Sequence, residues 1–176
     1  MKWVTREHVH VDRTACPWLI KRFVDPQAEF VFVPAEKIQE AIDKEHAIPY
    51  DVEGVELGHY GSNCSFDAIV KKYGIRDAGV LYLADIVRAA DTGKPERAPQ
   101  AAGLDAIMTG MSIAAGDDHE AIARAALVYD ALYTFFRLRL FREEHKAEVD
   151  NLDRAQRRDF IRTKLKEQDM PWSSSF

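Results

Sequence analysis

The chain has 176 residues, 47% of them hydrophobic and 30% charged, and a formal net charge of −5. This length suits one domain with a sizeable core, and no apolar run approaches the ~20 residues of a membrane helix. The acidic balance argues against sequence-independent nucleic-acid binding. The start Met1-Lys2-Trp3-Val4-Thr5-Arg6-Glu7-His8 lacks the apolar stretch of a secretory leader. A cytoplasmic protein without a membrane partner is expected. Cys16 and Cys64 are the only thiols, so no CxxC pair or zinc ribbon is available, and a structural disulfide is not expected in that compartment.

Trp3 to Val11 reads as a strand, on which His8, His10 and Asp12 would share one face. Asp12 is placed to cap the following helix, whose apolar side is Leu19, Ile20 and Phe23, and Pro17 fits only if it lies in the first turn. Asp25-Pro26 ends that helix. Glu29 to Val33 is a second strand of aromatic and β-branched residues. Pro34 opens a helix to about Lys44. Between His46 and Asn63 a third short strand, read near Val52 to Leu57, precedes a glycine-rich loop. Ser65 and Asp77 are candidate caps for helices reaching about Tyr73 and Ala90.

After a polar linker from Thr92, two longer helices span Pro99 to about Ala114 and Asp117 to about Glu144. Val128, Ala131, Leu132 and Phe135 are taken as the inner face of the second. Trp18, Phe66, Tyr129, Tyr133, Phe135 and Phe136 are assigned to the core. The fold class is α+β, a helix-rich single domain with a small sheet near the N-terminus. The body covers residues 1–145. Residues 146–176 form a charged helical tail with Leu152, Phe160, Ile161 and Leu165 as a sparse apolar stripe. Its cations, Arg154, Arg157, Arg158, Arg162, Lys164 and Lys166, are largely offset by neighbouring acids. The tail therefore reads as a solvated helix or one that docks a homodimer.

Three polar clusters interrupt the apolar segments: His8 to Cys16, Glu56 to Asp67, and Gly116 to Glu120. Imidazole and carboxylate donors suit iron, manganese or zinc, so His10, Glu56, His59 and His119 are the candidate metal ligands. Gly58 would let the backbone turn so that Glu56 and His59 converge. Ordinary caps and surface hydrogen bonds account equally for Asp12 and for the acids beside His119. Arg13 is expected to pair with a carboxylate such as Asp91 or Glu56 around the metal. Arg13, Arg22 and Arg88 together have the guanidinium chemistry to hold a tetrahedral oxyanion. Cys16, read as a first-turn residue, and Cys64, just before a helix, are candidate redox thiols.

The blocks WVTREHVHVDRTACPWLIKRF, VELGHYGSNCSFDAI, LADIVRAADTG, APQAAGLDAI and DDHEAIARAALVYDALY resemble the chromate-resistance protein family of the ChrB type, in order, from Trp3 to about Tyr133. The resemblance implies a role in chromate resistance. It also implies that longer members carry an additional N-terminal regulatory domain. The expected function is a metal-binding protein that senses or handles chromate or a related oxyanion. The alternatives are a metal-dependent enzyme that reduces chromate and a regulatory module without catalysis. No nucleotide cofactor is expected, because no GxGxxG fingerprint is present. If His10, His59 and His119 share one cation, metal should be lost through roughly pH 6 to 5, where free histidine takes up a proton.

Overall fold

The computed structural model describes residues 1–167. It opens with strand β1 (Lys2–Arg6), helix α1 (Val11–Phe23), strand β2 (Glu29–Val33), helix α2 (Ile38–Glu45) and a two-residue strand β3 (Ile48–Pro49). Both neighbours pair parallel to the central β1, giving the order β2-β1-β3. The chain steps from β1 to one side for β2, then crosses to the other side for β3. A parallel sheet opens a crevice at such a reversal, beyond the carboxyl ends of its strands.

The two faces of the sheet are filled differently. Val4 turns toward α2, packing with Ile38, Ala41 and Ala47 in a small cluster. Trp3 turns the other way, into the large core shared with the remaining helices. Besides α1, those are α3 (Ser65–Lys72), α4 (Ala78–Asp91), α5 (Ala101–Ala114) and α6 (Asp118–Glu144), whereas the short α7 (Lys146–Asp150) and α8 (Arg154–Glu167) pack in a separate cluster on the end of α6. Trp18, Tyr129 and Tyr133 are fully enclosed at the contact of α1 with α6. The result is a helix-rich α+β fold with its sheet at the N-terminus, as expected.

Several elements differ from the expectation. β1 stops at Arg6 because His8 takes a left-handed backbone (φ 62°). His8, His10 and Asp12 therefore share no strand face. The Asp118 carboxylate accepts the backbone N–H groups of His8 and Val9, both at 2.9 Å, and so fixes this corner against α6. The N-cap of α1 is His10, so Asp12 lies inside the first turn and Pro17 in the second. Lacking an N–H, Pro17 leaves the Arg13 carbonyl without its helical donor. The third strand falls earlier than Val52, and Leu57 contributes only a bridge to Tyr50. Cys64, not Ser65, takes the N-cap position of α3, Asp77 caps α4 as expected, and of the two acids that could cap α6, Asp117 and Asp118, it is Asp117 that does.

On α6 the buried side is Ala125, Ala126, Tyr129, Tyr133 and Phe136. Ala131 and Phe135 face outward, which corrects their assignment to the inner face and that of Phe135 to the core. The tail's apolar stripe is used within the chain: Ile161 and Leu165, with Phe160, pack on Phe141, Val149 and Leu138. The end of the expected tail, residues 168–176, lies outside the described residues.

Candidate functional site

The site grows from the crevice between β1 and β3. Asp12 enters from the first turn of α1 and is 1% exposed. Its carboxylate accepts the backbone N–H groups of Ser65 (2.6 Å) and Phe66 (3.0 Å), the first two residues of α3. Asp12 thus caps a helix other than its own. Two backbone donors left unpaired at the start of α3 find their acceptor in this carboxylate, at the positive end of that helix's dipole. The Cys16 thiol donates to the same carboxylate at 3.4 Å.

Three further acidic or basic groups meet Asp12. Asp51 follows β3 in a left-handed conformation (φ 49°), which aspartate tolerates better than most residues. Asp91 is the last residue of α4, where a carboxylate opposes the helix dipole. His59 reaches in from the loop before α3, half exposed. Its Nε2 stands 3.1 Å from Asp51 Oδ1, 3.3 Å from Asp12 Oδ2 and 3.3 Å from Asp91 Oδ2. One ring nitrogen carries at most one proton, yet three carboxylates converge on it. Among the described residues, arginine pairs with one of them: Arg13 Nε lies 3.2 Å, and Arg6 3.3 Å, from Asp51 Oδ2.

The electrostatics follow from this crowding. The hydrogen bond to Asp12, reinforced by the charges of Asp91 and Asp51, pushes the His59 pKa up to about 9. Burial, then the charge of Asp12, pushes Asp91 up to about 7, and the same two causes raise Asp51. Both thiols are also pushed up, chiefly by burial and then by Asp12. Cys16 is the sixth residue of α1, too deep for the helix N-terminus to activate it, so the expectation of a first-turn reactive thiol is corrected. Cys16 and Cys64 are buried thiols. Two buried hydroxyls in this region, Tyr50 and Ser65, have no hydrogen-bond partner among the described residues. The Ser65 backbone N–H is bonded to Asp12, and Tyr50 is close enough to feel the charges of Asp51 and Asp12.

Asp12, His59 and Asp91 each offer a ligand atom, all within 4.8 Å of one another, a spacing that can hold one cation. The expected metal quartet of His10, Glu56, His59 and His119 is not brought together. His10 Nε2 is 3.0 Å from Thr109 and 3.3 Å from Asp105, on α5. Glu56 is exposed and pairs with Lys72. His119 sets its ring against the edge of Phe32. The acids beside His119 are caps: Asp117 accepts the Glu120 N–H and Glu120 accepts the Gly116 N–H.

The three arginines also separate. Arg13 takes Asp51, neither Asp91 nor Glu56; Arg22 grips Asp130 at 2.8 Å; and Arg88 forks onto Asp67 at 2.6 and 2.8 Å. They form no common oxyanion cradle. Gly58 is required for a different reason from the one expected: a Cβ there would overlap the Val52 carbonyl. It closes the loop that carries His59.

Asp51 is absent from the sequence reading. Its signal was positional: an acid two residues past a short strand of a parallel sheet lies at the end where such sheets bind ligands. The alternation of β1 and the length of β3 had to be known before that signal was readable.

No solved structure matches the chain. A curated relative, Protein ChrB of Cupriavidus metallidurans, is 33% identical over 136 residues, covering 77% of this chain. The chain spans only 40% of that relative's length. The family described as "ChrB, C-terminal domain" matches residues 3–136, and these include Asp12, Asp51, His59 and Asp91. The chain belongs to the ChrB C-terminal domain family of chromate-resistance proteins.

Proposed function

We propose that the protein binds a divalent cation through Asp12, His59 and Asp91, with Asp51 beside them, and that this centre senses chromate or a related oxyanion. The observation that carries the reading is the convergence of three ligand atoms from α1, the His59 loop and α4 within 4.8 Å. Two carboxylate oxygens and an imidazole nitrogen favour iron, manganese or zinc over soft metals. A cation replaces the single proton of His59 with a charge that answers the facing carboxylates.

A dianion has no direct purchase on three carboxylates, and Arg13, Arg22 and Arg88 each hold an acid. The cation is what makes the site attractive to an oxyanion. Sensing is favoured over turnover because the ligands are also structural: Asp12 caps α3, and Asp91 accepts the backbone N–H of Asp12 at the start of α1. Occupancy is therefore coupled to how α1, α3 and α4 pack. Thiol-driven reduction is disfavoured by the burial of Cys16 and Cys64.

The test is metal content and isothermal titration on protein purified without a histidine tag, followed by chromate titration of the apo and loaded forms. Near-stoichiometric metal that is lost in His59→Ala and Asp91→Asn, with chromate binding only to the loaded form, is the expected result. Metal binding that persists in both variants would overturn the site. Steady consumption of chromate by the loaded protein with a thiol donor would replace sensing by catalysis.

A further inference from the structure

The outward face of α6 carries an apolar column that is largely exposed among the described residues. Leu127 is 72% and Phe135 50% exposed, and Ala131 lies between them, also exposed. These positions recur every four residues, so they align along one side of the helix. Farther along, Phe135, Leu138, Arg139, Arg142, Glu143 and Lys146 line a depression of about 400 Å³ with an apolar floor and a mostly cationic rim. At the opposite end of the helix the first turn is acidic, with Asp118 and Glu120.

Ala131 is the midpoint of the 27-residue helix Asp118–Glu144. A twofold axis through that point lays α6 antiparallel on itself. Leu127 of each copy then meets Phe135 and the depression of the other, and Arg142 lies over the acidic first turn, where Glu120 is also paired with Arg124 of its own chain. The small side chain at the crossing admits a close approach of the axes, of about 8–10 Å. Apolar column, depression and end charges are thus complementary under one symmetry operation, as an isologous interface requires. We infer that the protein forms a homodimer through antiparallel α6 helices, its axis at Ala131. The α8 stripe, already packed on its own chain, does not make this contact.

The contact is small. One helix face per copy falls below about 1,200 Å² of total buried surface, the range of weak and transient pairs. A dimer in the micromolar range is expected, independent of any metal.

Sedimentation equilibrium of the full chain should show a concentration-dependent dimer between about 1 and 200 µM, weakened about tenfold or more by Leu127→Asp. Leu127 is exposed in the monomer, so its substitution should leave the melting temperature of dilute protein unchanged. Ala131→Cys should cross-link to its own mate under mild oxidation, far faster than Lys37→Cys on the opposite side of the sheet. Cys16 and Cys64 are buried and do not interfere. A full chain that stays monomeric to about 200 µM overturns the proposal, whatever else covers the column. So does a dimer in which Ala131→Cys cross-links no faster than the control.

Discussion

Two regions of this molecule use the same side chains to opposite ends. At the start of α6, Asp117, Asp118, His119 and Glu120 are consecutive in the chain. Their carboxylates serve nearby backbone: Asp117 and Glu120 cap their own turn, and Asp118 ties down His8 and Val9. His119 points away onto Phe32. At the sheet crevice, Asp12, Asp51, His59 and Asp91 are spread over 80 positions of sequence, yet their polar atoms meet within a few ångströms. The lesson is that density of acids along a chain is chiefly a signature of helix starts. A site is made when separate elements bring charges together that would otherwise repel.

The largest effect in this comparison should come from Asp12→Ala. It strips two backbone donors and a thiol of a buried acceptor, at about 1–3 kcal/mol for each unsatisfied group. A loss of about 2–5 kcal/mol in urea or thermal unfolding is expected. Asp118→Ala removes the same number of backbone hydrogen bonds in a more open setting and should cost about 1 kcal/mol. Equal losses would mean that the buried Asp12 carboxylate does no more for the fold than that of Asp118.

The next effect is the pH dependence of metal stabilisation. His59 and Asp91 both have folded pKa values above their ordinary ones, about 9 and about 7. Each therefore stabilises the metal-free fold fully below its unfolded pKa and loses that contribution as pH rises through the folded value. The metal-free protein should lose this part of its stability between about pH 4 and pH 9. Added zinc or manganese should restore it, with a gain in melting temperature that grows from pH 6 to pH 9. Proton competition thus extends well above the window of free histidine. A metal effect that is flat with pH, or present only below pH 6, would contradict the site. His119→Ala should leave both curves in place.

Asp91→Asn should separate stability from binding. It removes a buried charge that opposes the end of α4, so the metal-free protein should melt higher at pH 8, while metal affinity falls at least about tenfold. Such a trade is expected where strain is kept for function. A variant that is less stable and still binds metal would assign Asp91 a purely structural role. The smallest effects belong to Glu56→Ala and His119→Ala. Both are exposed, and each should change stability by no more than about 0.5 kcal/mol without altering metal content.

The elements legible from sequence are those whose signal is local. The β2 strand, the caps Asp77 and Asp117, and the ends of α5 and α6 follow from residue type and spacing within a turn or two. The helix-rich α+β class follows from their sum. Of the site, His59 was legible as a loop histidine framed by glycines, and Asp12 and Asp91 as acids near possible partners. The tertiary structure alone decided which of them meet. It turned His10 onto α5, paired Glu56 with Lys72, gave each arginine its own acid, and brought in Asp51 after a strand of two residues. It also chose which side of α6 is buried, a rotation that apolar periodicity left open because Leu127, Ala131 and Phe135 are as apolar as the residues facing inward. Local propensity is set by neighbours in the chain. The meeting of charges across a crevice depends on crossovers of the whole sheet, and no spacing along the sequence records them.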